Sequence, residues 1–209
     1  MTPLFSTAYL PPVAYMSALQ RCTAAEVEWC ETFPKQTYRN RAHIMTAGGV
    51  RALTVPVVRT NHSRTDEVLV DYKERWNVVH LRTLTAAYAA SPYFLYYKDD
   101  LERLLLQRYR RLVDLNGALL DWLLGVLKID CVMTPTRDFL PPCGDPNDLR
   151  YVFSPKRRDE ATGALFPPYY QVFCDRQPFA ADLSVVDVLM NLGPEAGEYL
   201  RGVSSPACA

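Results

Sequence analysis

Residues 31–58 read ETFPKQTYRNRAHIMTAGGVRALTVPVV, and the second half of that stretch has the pattern of a β-hairpin. Alternating apolar residues flank Gly48-Gly49, and glycine supplies the positive φ that a tight turn needs. The first half is different. It crowds Lys35, Gln36, Tyr38, Arg39, Asn40 and Arg41 directly ahead of a strand that must pack on a core. If 38–46 is extended, period-two alternation sends Arg39 and Arg41 to one face and Tyr38 and Asn40 to the other. Two guanidinium forks so spaced suit one carboxylate, phosphate or pyrophosphate better than lysines would. The alternative is a solvated strand with surface arginines.

Working outward, residues 4–10 read as a short strand ended by Pro11-Pro12, 13–20 as helical turns, and 26–30 as a strand. Downstream, 68–70 adds a strand, and the spacing then lengthens to that of a helix over 73–90, where Trp76, His80 and Leu84 share a face. Asp99-Asp100 suits the start of a long helical block over 99–127, which Gly117 and Gly125 either divide or mark as closely packed. A strand at 131–134 and a helix at 184–192, begun by Ser184 with Asp187 and stopped by Gly193-Pro194, complete the pattern. These elements predict one α/β or α+β domain spanning 1–209. A mixed sheet from the strands near 4–9, 26–30, 42–46, 50–58 and 131–134 is covered by the helices. Residues 135–168 hold seven prolines and read as a long proline-rich loop, of the kind that serves as a lid.

Lysine plus arginine and aspartate plus glutamate both total 23, so no bulk field draws the chain to nucleic acid or to an anionic membrane. No window approaches the roughly 20 apolar residues of a membrane span, which argues against membrane insertion. The opening residues lack a basic region and carry Pro3, Pro11 and Pro12, so a cytoplasmic location is expected. The six cysteines, at 22, 30, 131, 143, 174 and 208, are expected to be reduced.

His80 is the candidate acid or base, although a hydrogen-bonded core histidine has the same spacing. The three histidines lack metal-ligand spacing and no two cysteines form a C-x-x-C pair, so no metal is expected. The nucleotide-binding and hydrolase signatures are also absent, and no cofactor is expected. Cys30 and Cys174 are the cysteines best placed for a nucleophile, with burial as the commoner fate. The tyrosines of SPYFLYYKDD and PPYYQVF either line a pocket or pack.

Four stretches in order, AYLPPVAYMSAL, KQTYRNRAHI followed by LTVPV, WNVVHLRTLTAAYAASPYF and PFAADLSVVDVLMNLGP, resemble the WbqC-like protein family. The resemblance places Arg39, Asn40 and Arg41 on the family's asparagine-arginine element, Lys35 on the lysine before it, and Trp76 with His80 on its W-x-x-x-H pattern. Tyr9-Leu10-Pro11-Pro12 and Cys30-Glu31 stand where longer members carry Q-P-x-Y-F-P and an acidic pair. The resemblance implies a bacterial enzyme of O-antigen-type surface-polysaccharide precursor synthesis. The activity it implies is acyl or aminoacyl transfer that forms an amide on a nucleotide-linked amino sugar. His80 would then be catalytic, and Tyr9, Lys35, Arg39, Asn40, Arg41 and Trp76 would bind an anionic substrate, a nucleotide sugar or an acyl donor. The alternative is a non-catalytic partner of a polysaccharide-biosynthesis enzyme, docking through the tyrosines and the 135–168 loop.

Overall fold

The computed structural model describes residues 2–142, 144–157 and 166–204. Its centre is a parallel sheet of three short strands, β1 (Leu4–Ser6), β2 (Ala24–Glu28) and β7 (Val132–Pro135), in the order β1-β2-β7. Leu4 pairs with Glu26, and Ala24 with Val132. On the far side of β1, Leu4 N–H donates to Asn147 O and Leu149 N–H to Leu4 O, which makes a parallel bridge to Asp148. Because all four segments run the same way, the residues after Ser6, Glu28, Pro135 and Leu149 emerge together at one edge.

The hairpin forms as its sequence predicts, from β3 (Arg41–Thr46) and β4 (Gly49–Thr54), with Ala42 opposite Leu53 on its buried face. It does not join the parallel sheet. Val55 N–H turns back to Asn40 O, and Pro56 has no N–H to continue the ladder. The chain then changes partner, and β5 (Val57–Val58) pairs with β6 (Leu69–Val70). The expected single mixed sheet is therefore three small sheets, one parallel and two antiparallel, within a mixed α/β body.

Helices α1 (Val13–Leu19), α2 (Trp76–Tyr88) and α5 (Val185–Leu192) match their periodicity. The expected helix at 99–127 is instead two helices, α3 (Phe94–Leu106) and α4 (Leu112–Leu127). The break has a tertiary cause: Val70 N–H donates to Arg110 O and Leu112 N–H to Val68 O, so 110–112 lies along β6. Asp99-Asp100 consequently sits inside α3, while Gly117 and Gly125 lie within α4 with open space where a Cβ would be. A last helix, α6 (Ala196–Gly202), follows a 3-10 turn at Gly193–Glu195.

Two apolar cores result. One packs Phe5, Met16, Leu19, Val188 and Leu189 about the parallel sheet; the other packs Leu10, Ile44, Leu84, Leu101 and Leu105 between the hairpin and the helices. Helix α4 joins them, giving Leu123 and Leu127 to the first and Leu112, Leu115 and Leu119 to the second. Fully burying each such side chain contributes about 1.5–3 kcal/mol. The described part of the 135–168 loop is held inward by buried Leu149, Arg150 and Phe153. No disulfide joins the described cysteines, and Cys143 and Cys208 lie outside the described residues. No described helix is long and apolar enough to cross a membrane.

Gly193 ends α5 at φ +54, and a Cβ there would overlap the ring of Tyr93. Gly193→Ala combines a left-handed backbone with that clash, so urea unfolding is expected to show a loss of about 2–4 kcal/mol.

Candidate functional site at the carboxyl edge of the parallel sheet

Glu28, the last residue of β2, is fully buried. Its Oε1 accepts from Cys30 N–H (2.7 Å) and the Thr136 hydroxyl (2.9 Å), and its Oε2 from Leu140 N–H (3.1 Å) and Arg150 Nη1 (3.0 Å). Arg150 is also buried and grips Asp148 with two parallel bonds, Nε to Oδ1 at 2.8 Å and Nη2 to Oδ2 at 2.6 Å. The guanidinium holds the Asp148 carboxyl below its ordinary range.

Three residues on, Glu31 forms a second buried pair. Its Oε1 accepts from Arg39 Nε at 2.7 Å and its Oε2 from the Tyr151 hydroxyl at 3.1 Å. Arg39 Nη2 lies against the same Oε1 without the alignment of a hydrogen bond. The half-exposed ring of Tyr151 links the pairs, 5.9 Å from the Arg39 guanidinium carbon and 5.6 Å from that of Arg150.

At the same edge, the strand ends and residues 113–121 of α4 border a cavity of about 420 Å3 whose lining includes Thr7, Trp29, Asn116, Asp121, Met133 and Pro135. Asn116 connects cavity and charges, because its Nδ2 donates to the Arg39 carbonyl (2.8 Å) and to Thr7 Oγ1 (3.0 Å). Its Oδ1, in a residue 1 % exposed, has no hydrogen-bond partner. The crevice outside the carboxyl ends of parallel strands is where open α/β sheets hold ligands.

The residues singled out by sequence divide between this edge and the hairpin. Arg39 precedes β3 in a turn rather than sharing a strand face with Arg41, so the two guanidiniums do not form one clamp; Glu31, eight residues back, takes the first. Arg41 is half-buried at the start of β3, with its Nε unpartnered. Asn40 stitches the hairpin base through Nδ2 to Val55 O at 2.9 Å, and Lys35 is exposed.

Tyr9, Trp76 and His80 pack together behind the hairpin. The Tyr9 hydroxyl and His80 Nδ1 share a hydrogen bond of 2.9 Å, and the Trp76 and His80 rings meet edge-on at 5.1 Å. Burial is the main cause that lowers the His80 pKa from 6.5 to about 4, opposed by a hydrogen bond with the Thr54 backbone and aided by the charge of Arg51. Burial likewise pushes the Tyr9 phenol up. His80 is thus a neutral, hydrogen-bonded ring inside the second core.

Cys30 is buried with Arg64 Nη2 at 3.1 Å from its sulfur, and Cys174 is exposed. No group of three or more His, Cys, Asp or Glu among the described residues is placed to hold a metal ion.

A model of the WbqC-like protein family matches residues 7–152. The chain belongs to that family. The matched span takes in Glu28, Glu31, Arg39, Asn116, Arg150 and Tyr151, and so the whole charged edge of this WbqC-like protein. An uncharacterized protein of Mycobacterium tuberculosis strain H37Rv is 27% identical over 194 residues, covering 81% of this chain and 84% of its own length. No solved structure matches.

Glu28, Asn116, Arg150 and Tyr151 were not found by sequence reasoning. The available signal was Glu28 itself, a carboxylate at the end of a short apolar strand and close to Glu31.

Two measurements test these placements. Arg150→Met leaves Glu28 charged and unpaired in the interior, so its urea unfolding free energy is expected to fall by about 3–5 kcal/mol. For His80 the folded pKa lies below the unfolded one, so its neutral form contributes stability that is full above pH 6.5 and is lost as pH falls toward 4. That gap corresponds to about 3 kcal/mol. Melting curves between pH 7 and 4 are expected to be flatter in His80→Gln than in the parent, with the lower stability of the variant most evident at pH 7.

Proposed function

We propose that this protein is a cytoplasmic transferase of bacterial surface-polysaccharide precursor synthesis, moving an acyl or aminoacyl group onto an amino sugar seated in the carboxyl-edge cavity. The observation that carries the reading is a cavity lined by Asp114, Asp121 and Asn116 and by no lysine or arginine. Such a lining accepts hydrogen bonds, and an amino sugar offers hydroxyl and ammonium donors along its rim. Trp29 supplies a flat apolar wall for a sugar face.

The charges extend the argument. Asp114 at the cavity is already paired with Arg111, by bonds of 2.9 and 2.6 Å, whereas Asp121 is exposed and has no ion pair among the described residues. Asp121 takes the proton that an ammonium must lose before its nitrogen attacks. The C–N bond then forms as the bond between the acyl carbon and the donor's leaving group breaks, and the second proton of the nitrogen departs with the leaving group. Arg39 acts at one remove, by fixing Asn116 through its carbonyl. His80, Tyr9 and Trp76 brace the hairpin behind.

A second reading, a non-catalytic partner of a polysaccharide-biosynthesis enzyme, has its own observation. Leu95 and Tyr96 at the start of α3 are each 78% exposed, an apolar pair suited to docking.

Thermal melting against UDP-linked amino sugars separates the two. A ligand at a hundredfold its Kd adds about 2.7 kcal/mol, or roughly 5–10 °C in a chain of this size. The free amine is expected to raise Tm, its N-acetyl counterpart to do so much less, and Asp121→Asn to remove the difference. No shift across the amino sugars, together with co-purification of a glycan enzyme that Tyr96→Asp abolishes, would establish the partner reading instead.

A further inference from the structure

The hairpin and α2 border an open groove of about 640 Å3, which shares no lining residue with the carboxyl-edge cavity. Its walls include Gly48 and Arg51 from the hairpin, Val79, Arg82 and Ala86 from α2, and Phe173. Arg51 stands opposite Ile44, on the face where Ala42, Ile44 and Leu53 are buried. Alternation calls for an apolar residue there, and an arginine at that position points its stem at α2 rather than away from it. Helix α2 answers with alanines at 86 and 87, which leave room for the charged head.

Arg82 approaches from the opposite wall. Both arginines are exposed, and neither makes an ion pair or hydrogen bond with the described residues. No aspartate or glutamate lines the groove.

We propose that this groove is an anion site that takes the phosphate or pyrophosphate of a small molecule, separate from the carboxyl-edge cavity. Two planar guanidiniums on facing walls suit tetrahedral phosphate oxygens, which accept paired N–H bonds from each. The volume fits a nucleotide-sized ligand. A polyanion such as nucleic acid needs many more contacts than two, and the chain as a whole carries a formal net charge of +0. The competing explanation is that Arg51 is an inward-pointing charge that keeps the hairpin edge from pairing with another chain; it requires no ligand.

Titration calorimetry of the full chain at low salt, with inorganic pyrophosphate and with a nucleoside diphosphate, decides between them. Single-site binding of pyrophosphate is expected, weakened at least tenfold by Arg51→Ala and by Arg82→Ala. Arg103→Ala, at an exposed arginine far along α3, is the control and is expected to bind as the parent does. Melting curves accompany each variant. If an alanine variant melts early, Arg51→Lys and Arg82→Lys keep the stem and the charge while removing the fork, and a loss of affinity with unchanged Tm supports the site. A nucleoside diphosphate that binds tighter than pyrophosphate assigns a nucleotide, with Phe173 as its neighbour; equal affinities assign the pyrophosphate group alone. Absence of pyrophosphate binding to the parent, or parent-like binding by the double alanine variant, overturns the proposal. Neither result bears on the amino-sugar cavity, because Asp121 lies outside this groove.

Discussion

The buried carboxylate of Glu28 is the constraint around which the parallel half of the molecule is arranged. Removing an ion from water costs several kcal/mol even after a protein relaxes around it, so a buried charge persists only where its lone pairs are answered. Glu28 is answered four times, from the turn after β2, from the residue after β7, from Leu140 and from Arg150. Backbone bonds from Thr136 to Val27 and between Leu4 and the 147–149 return bring the same segments together, and the carboxylate ties them at one point. Arg150 then carries a charge of its own to be met, and Asp148 meets it two residues away while bridging to Leu4.

A second set of polar contacts joins this edge to the hairpin half. Asn116 on α4 holds the Arg39 carbonyl and Thr7, so the helix shared by the two cores also fixes the chain entering β3. Tyr9, three residues past β1, donates its N–H to Tyr38 O and shares its hydroxyl with His80 on α2. The cluster between 35 and 41 is thereby explained in large part. Arg39 and Asn40 are needed to close the loop onto Glu31 and Val55, whereas Lys35 and Arg41 are less committed.

The sequence revealed those features whose causes are local. The hairpin follows from Gly48-Gly49 and flanking alternation, α5 from Ser184 and Gly193, and α2 from its spacing, because each is decided within a few turns of chain. The parallel sheet was hidden for the opposite reason: its strands have three to five residues and their partners lie as far off as Val132 and Asp148. Glu26 and Glu28 have the same parity, which reads as a solvated face, yet Arg150 reverses the outcome for Glu28 alone. The break between α3 and α4 was missed likewise, since no residue at 107–111 forbids a helix and distant partners, the β6 backbone and the Tyr72 hydroxyl, impose it. For His80 both readings share one spacing, and only burial and the Tyr9 contact distinguish them.

The same accounting bears on where chemistry belongs. In the edge network, the oxygens of Glu28, Glu31 and Asp148 all have partners, as do the Tyr151 hydroxyl and the Nδ2 of Asn116. An unmet buried carbonyl costs about 1–3 kcal/mol, comparable to a large share of what a single substitution normally changes. Asn116 Oδ1 bears that cost beside a cavity, at the end of a sheet whose geometry directs ligands to that edge. A rotation of the amide would only move the deficit, because the Thr7 hydroxyl could donate to the oxygen but the Arg39 carbonyl would then face an oxygen in place of its donor. The unmet acceptor is thus held in place by the same bonds that anchor Arg39, in a residue that lines the cavity.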